Sequence, residues 1–267
     1  MLLTVDIGNS HITIGGFAIA GKAIENTPVF ISRFLTEHHK TDDQYAMAFK
    51  QLFSLYHIDE HLIQGIIICS VVPGLNDIIK QAFIKVTGIN PVLLGPGIKT
   101  GLNIRIDNPA QLGADLVAGA VAAISRYPLP CIIFDLGTAT TISVIDKNGF
   151  FLGGTICSGI TLTLDALAKK TALLPHVNIE KPKTVIGTNT IHSMQSGAIY
   201  GTAAMIDGVA ERIEEELGSP AKLIATGGLA KIIIPCCKKK LELSENLLLN
   251  GLCIIYEKNH MFPKHVK

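Results

Sequence analysis

The sequence has no tryptophan, no Cys-x-x-Cys pair, no histidine at metal-ligating spacing from a cysteine, and no long apolar run. Its hydrophobic stretches reach about eight residues, where a membrane span needs about twenty, so no membrane partner is expected. The cysteine spacing excludes a zinc-finger type of site. Charge of one sign is also missing: 23 Lys and Arg stand against 22 Asp and Glu, a formal charge of +1. With neither a basic surface nor an acidic tail, nucleic acid is not an expected partner. No basic leader with a cleavage site opens the sequence, and the expected compartment is the cytoplasm. The six cysteines (Cys69, Cys131, Cys157, Cys236, Cys237, Cys253) mostly sit in apolar runs and read as buried free thiols. Cys236 and Cys237 adjoin Lys238 to Lys240, a setting that can make a thiol reactive.

What is present is a repeated design. At 267 residues the chain has length for two modest domains, at roughly 100 to 200 residues each. Each half carries one copy of the same pattern, MLLTVDIGNSHITIGG at the start and CIIFDLGTATTISVID from Cys131 to Asp146. An apolar run ends on an aspartate, Asp6 or Asp135, and a glycine follows two positions later, Gly8 or Gly137. Small hydroxyl or amide residues come next (Asn9 and Ser10; Thr138, Thr140 and Thr141), then a second β-rich run. The order predicts strand, tight turn, strand in both copies.

That order suits phosphate. Glycine lets the backbone come close, with N–H groups free to face phosphate oxygens, and the hydroxyl and amide groups add neutral donors. An aspartate at the strand end repels phosphate, so its natural partner is a cation or a water carried by the nucleotide. A single D-x-G is ordinary turn chemistry. A third glycine-bearing strand end, Ala225-Thr226-Gly227-Gly228 after Leu223 and Ile224, suits close approach to a flat ring or sugar, and the three together read as one nucleotide site.

Between these motifs the chain alternates. Thr41 and Gln44 have capping-box spacing, so a helix is expected from about Asp42, with Tyr45, Phe49, Leu52 and Phe53 as core. Arg33 to Lys40 reads as irregular, and His38 with His39 as a solvated pair. Gly65 to Val72 reads as a strand buried on both faces, followed by a helix from Leu75 to Val86 and a strand at Val92 to Leu94. The loop Gly95 to Gly101, too rich in glycine for an element interior, is an expected substrate wall whose only charge is Lys99. Leu102 to Asp107 reads as a strand. Asn108 and Pro109 are expected to start a helix from Ala110 to Ser125, in which Asp115 lies off the apolar side among short neighbours, a reasonable general base. Gly159 to Thr171 reads as helical, Pro175 to Asn189 as turns, Ile191 to Leu217 as a long helix, and Leu247 to Lys258 as a final helix across the domain junction.

The motifs D-I-G-N-S, D-L-G-T-A-T-T and A-T-G-G-L-A resemble the two phosphate motifs and the adenosine motif of the acetate kinase, sugar kinase, actin and heat-shock chaperone superfamily. Within it the chain resembles the type III pantothenate kinases over nearly its whole length, including G-P-G-I-K-T-G-L at 95 to 102, N-P-A-Q-L-G-A-D at 108 to 115, S-M-Q-S-G at 193 to 197 and I-Y-E-K-N at 255 to 259. The resemblance implies an α/β fold of two actin-like (ribonuclease H-like) domains, residues 1–116 and 117–267, with an ATP cleft between them. It implies that Asp6, Ile7, Gly8, Asn9, Ser10, His11, Ile12, Thr13, Thr138, Gly227 and Gly228 contact ATP. Asp135 would hold a monovalent cation, K+ or NH4+, and Mg2+ would accompany the nucleotide. Asp115 would take the proton from the primary hydroxyl of pantothenate, bordered by Gly113, Ala114, Leu116 and Thr190. The implied reaction is phosphorylation to 4'-phosphopantothenate, the first step of coenzyme A biosynthesis, by a homodimer.

The departures from the family pattern cluster at the acceptor. Leu116 stands where an arginine is usual, Gly119 where asparagine is, Ile106 where tyrosine often is, and Ser158 where proline is. Leucine cannot offer the arginine fork, which points to weak pantothenate binding unless Lys99 or Arg105 substitutes. Two other readings stay open: a kinase for another small alcohol, and a non-catalytic ATP-binding regulator.

Overall fold

The computed structural model describes residues 1–21 and 23–259. In chain order its elements are β1 (Leu2–Ile7), β2 (His11–Ala20), β3 (Ala23–Leu35), α1 (Asp42–Leu55), β4 (Gly65–Ser70), α2 (Asn76–Thr87), β5 (Val92–Leu93), β6 (Asn103–Ile104), α3 (Ala114–Arg126), β7 (Cys131–Leu136), β8 (Ala139–Ile145), β9 (Phe150–Ser158), α4 (Ile160–Lys170), α5 (Thr190–Leu217), β10 (Lys222–Thr226), α6 (Ala230–Ile233), β11 (Glu242–Leu243) and α7 (Leu247–Asn259), with short 3-10 turns between some of them. They form two α/β units, each built on one sheet. The first comprises Met1–Gly101, Ala110–Ala122 and α7; the second comprises Leu102–Pro109 and Ala123–Asn246. The division is thus discontinuous, where the sequence reading has one boundary after Leu116. β6 pairs with β9 of the second unit, and α7 packs against β1 and β4 of the first.

In the first unit the sheet runs β3-β2-β1-β4-β5, with β1 antiparallel to β2 and parallel to β4. Leu3, Val5 and Ile7 point to one face, where Tyr45, Phe49 and Phe53 of α1 meet Phe83 of α2 in a buried core. Phe49 and Phe83 stack with centroids 4.3 Å apart. The capping box at Thr41 is present in both directions: Thr41 Oγ1 accepts from the Gln44 N–H at 3.3 Å and Gln44 Oε1 from the Thr41 N–H at 2.9 Å.

The opposite face of the sheet, which carries Leu2 and Thr4, belongs to α7. Leu249 packs on Gly15 of β2, and any side chain at Gly65 of β4 would collide with the Tyr256 hydroxyl. α7 therefore packs within the first unit.

Two expectations change. Arg33 to Leu35 belongs to β3, whose register with β2 runs through His11 and Leu35; as an edge strand, mostly open to solvent, it tolerates polar residues that make the stretch look irregular. The helix placed at Ala110 starts at Ala114, because Pro109–Gln111 forms only a 3-10 turn. Asp115 consequently stands in the first helical turn instead of the second.

The second sheet repeats the first. Its order, β11-β10-β7-β8-β9-β6, contains the same five-strand plan with β6 added at the edge. β7 is antiparallel to β8 and parallel to β10, as β1 is to β2 and β4. Ile132, Phe134 and Leu136 pack with Ile199, Ala203 and Ile206 of α5. The fold is the doubled actin-like α/β arrangement that the resemblance implies.

Candidate functional site

Asp6 closes β1 at the end that faces the first glycine turn. Its partners across the sheet are Thr13 of β2 and Cys69 of β4. The Gly8 N–H donates to the His11 carbonyl at 2.9 Å, closing a tight turn that presents Asn9 and His11 to solvent. Thr36, just beyond β3, fastens the turn from outside: its hydroxyl donates to the Gly8 carbonyl at 2.6 Å and its N–H to the Ser10 carbonyl at 3.0 Å. Ile7 and Ile12 are fully buried core residues, so only their backbone is available to a ligand.

Asp115 lies in the same unit. Gly113 precedes it because a side chain there would strike the Asp115 carboxylate. Burial raises the Asp115 pKa above the ordinary carboxylate value, against the lowering effect of the Leu116 and Asp115 N–H groups; the Leu116 N–H donates at 2.9 Å. Cys69 links the two acids: its thiol is pushed well up by burial first, then by the negative charges of Asp6 and Asp115. Asp6, Asp115 and Cys69 thus form one electrostatic neighbourhood. A carboxylate kept partly dry, with a raised proton affinity, has the character of a general base.

In the second unit Asp135 occupies the place that Asp6 has in the first, between Thr141 of β8 and Thr226 of β10. Thr138 is exposed in the turn that follows, and Gly228 is exposed beyond β10. Gly227 has φ +91°, a left-handed conformation. Gly159, at the N-cap of α4, backs onto the Gly137 and Thr138 carbonyls so closely that a Cβ there would overlap them.

The residues expected to border the acceptor divide between units. Gly113 to Leu116 are in the first, whereas Thr190 opens α5 in the second, on a cavity of about 810 Å³ lined by Leu164, Met194, Met205, Thr163 and Asn189 among others. Arg105 stacks on the Phe150 ring, 3.6 Å from its centroid. Burial works to raise the Asp146 carboxyl, but bonds from Phe150 and Asn148 and the Arg105 charge outweigh it and hold it below its usual value. Arg105 is therefore engaged within the second unit.

Among the described residues no three His, Cys, Asp or Glu side chains gather to hold a metal ion. No helix among the described residues is long and apolar enough to cross a membrane. Cys237 is not activated by the neighbouring lysines. The Cys236 and Cys237 thiols lie near the Ile232 and Ile233 carbonyls, and burial, then Asp207 and Cys236, push Cys237 up to about 12.

Three supporting residues escape a reading by motif. Thr36 lies far along the chain from the turn it fastens, Cys69 looks like one more member of an apolar run, and Gly159 carries a signal only in hindsight, as a glycine directly before a helix beside the altered Ser158.

Comparison with known proteins gives the family and the fold. The family model described as type III pantothenate kinase matches residues 2–212. Curated relatives of that name include one from Halalkalibacterium halodurans, 42% identical over 97% of this chain and all of the relative, and one from Shouchella clausii, 43% identical with the same coverage. Among solved structures, a conserved Baf family protein of Campylobacter jejuni described as a transcriptional activator superposes with a TM-score of 0.60 at 20% identity, over 96% of this chain and 98% of that one. Component A of (R)-2-hydroxyglutaryl-CoA dehydratase from Acidaminococcus fermentans gives 0.55 at 13% identity, over 97% and 96%. These two speak for the fold; the family match over residues 2–212 and the relatives at 42% and 43% identity over 97% of this chain place the chain in the type III pantothenate kinase family.

Proposed function

We propose that this kinase transfers the γ-phosphoryl group of ATP to the primary hydroxyl of pantothenate, giving 4'-phosphopantothenate for coenzyme A synthesis. The observation that carries the reading is Asp115, a half-buried carboxylate of raised pKa that shares its surroundings with the strand-end Asp6. Asp115 accepts the hydroxyl proton as that oxygen bonds to the γ-phosphorus and the bond to the β-phosphate oxygen breaks, releasing ADP. The backbone of Asp6 to Thr13, together with Thr138, takes the phosphates, and Gly227 and Gly228 the adenosine. Catalysis then comes mainly from positioning and charge neutralisation. Mg2+, when bound with ATP, supplies charge neutralisation on the phosphates, and Asp135 is the side chain for a monovalent cation. Gly113 to Leu116 and Thr190 border the acceptor.

The protein works in the cytoplasm as a homodimer in this reading. Support for the dimer comes from the second unit, where Ile156, Leu173 and Ile186 are 76%, 89% and 81% exposed. Large apolar side chains this exposed are candidates for burial against a second copy.

The test is product detection by mass spectrometry after incubation with ATP, magnesium, potassium and pantothenate. Absence of 4'-phosphopantothenate would overturn the proposal. A second acceptor is favoured by one observation: a Cβ at Gly119 would meet only Leu247 Cδ2, at 4.0 Å, so α3 has room there that the usual asparagine fills. ATP consumption with another small alcohol, and none with pantothenate, would support that alternative; nucleotide binding with no turnover would support a regulator.

A further inference from the structure

We infer that the last turn of α7 is a clamp that sets the 95–101 loop at the acceptor side of the reaction, with Asn259 and Lys258 as positioning residues; the inference rests on the function proposed above.

The loop starts where β5 ends. β5 is parallel to β4, through Ile68 and Leu93, and β4 is parallel to β1, through Cys69 and Asp6. The loop therefore leaves the sheet at the same end as Asp6, the end at which parallel α/β sheets bind their ligands. It has little packing of its own. Gly97 and Gly101 adopt φ of +90° and +73°, and a Cβ at Gly95 or Gly97 would meet no heavy atom within 4 Å.

Its shape is held instead from α7. The Lys99 N–H donates to Asn259 Oδ1 at 2.9 Å, and Asn259 Nδ2 donates back to the Lys99 carbonyl at 2.8 Å. The second Nδ2 proton goes to the Ile255 carbonyl, also at 2.8 Å, which ties the side chain to its own helix. Lys258 Nζ adds a bond to the Thr100 carbonyl at 2.7 Å. Asparagine alone fits this set: aspartate lacks both donors, and glutamine is longer by one methylene.

The same helix also fixes the catalytic helix. Gly251 lies so close to the Ala118 carbonyl of α3 that no side chain fits between them, and Leu247 adjoins Gly119. One rigid element thus holds both α3, which presents Asp115, and the loop opposite the same sheet end. Coupling of this kind sets the distance between a base and the wall that aims the attacking hydroxyl.

The experiment compares wild type, Asn259→Ala, Asn259→Asp and Lys258→Met with pantothenate as acceptor. For Asn259→Ala we expect KM for the acceptor to rise about tenfold while KM for ATP stays within about twofold. Asn259→Asp, which keeps the acceptor oxygen, should fall between Asn259→Ala and wild type. Hydrogen exchange, read without substrate, should show the Lys99 amide losing protection in Asn259→Ala and keeping it in Lys258→Met. Equal shifts of both KM values, no shift of either, or unchanged Lys99 protection would overturn the clamp. Failure of the wild-type enzyme to phosphorylate pantothenate would overturn the proposed function instead, and the exchange comparison would still decide whether Asn259 holds the loop.

Discussion

Gly227 stands directly against Asp135: a Cβ on Gly227 would lie 2.6 Å from Asp135 Oδ1 and 2.6 Å from the Leu136 nitrogen. With φ at +91°, this position is closed to a side chain on both steric and conformational grounds. Gly227→Ala should therefore cost about 1–3 kcal/mol of stability and weaken ATP binding together, because it displaces the carboxylate at the second phosphate turn. Denaturant unfolding and calorimetric titration with ATP check both parts.

Asp115→Asn removes the proton acceptor and should lower kcat by about 10²- to 10⁴-fold while leaving ATP affinity intact. Activity of the wild type should fall with pH as Asp115 protonates, at a pH above that of an ordinary carboxylate. The effect on stability has the opposite sense. Between the ordinary and the raised pKa the folded chain binds the extra proton, so stability declines as pH rises through that window, and the cost of the charge persists above it. Asp115→Asn should melt higher than wild type at neutral pH, measured by calorimetry.

These outcomes bear on what the sequence disclosed. The doubled strand-turn-strand pattern was legible because its two aspartates and their glycines recur in order, and the mirrored sheets carry that repeat. The helix bearing Asp115 was legible in kind but not in its start, since Asn108-Pro109 is as good an opening for the short 3-10 turn that forms as for a longer helix. β3 was hidden by its exposed polar residues. Thr36, Cys69 and Asn259 were hidden for a different reason: each acts on a segment far away along the chain, and local spacing carries no record of such a meeting.

Leu116→Arg places on α3 the fork that the resemblance leads one to expect there, while Arg105 is stacked on Phe150 beside Asp146. KM for pantothenate should fall about ten- to a hundredfold. Steady-state kinetics at saturating ATP check it; an unimproved or slower variant would remove the weak-binding argument.

Cys237, pushed up to about 12, should hold only ~10⁻⁴ of its thiol as thiolate at pH 8. Alkylation by iodoacetamide should be far slower than for a free cysteine, read site by site by mass spectrometry.

Ile156→Asp combined with Ile186→Asp places charge on the exposed apolar surface of the second unit. Sedimentation velocity should show wild type at twice the mass of the chain and the double variant at one, with no loss of helix content.

The seat of α7 orders events during translation. Strands β1 to β3 cannot be covered on their second face until α7, more than 200 residues further along, has left the ribosome, while the second unit's strands and helices have by then all emerged. A stop codon or frameshift ahead of Leu247 would thus strip the hairpin at residues 1–20 of its backing, so lesions far along the chain should damage strands laid down much earlier.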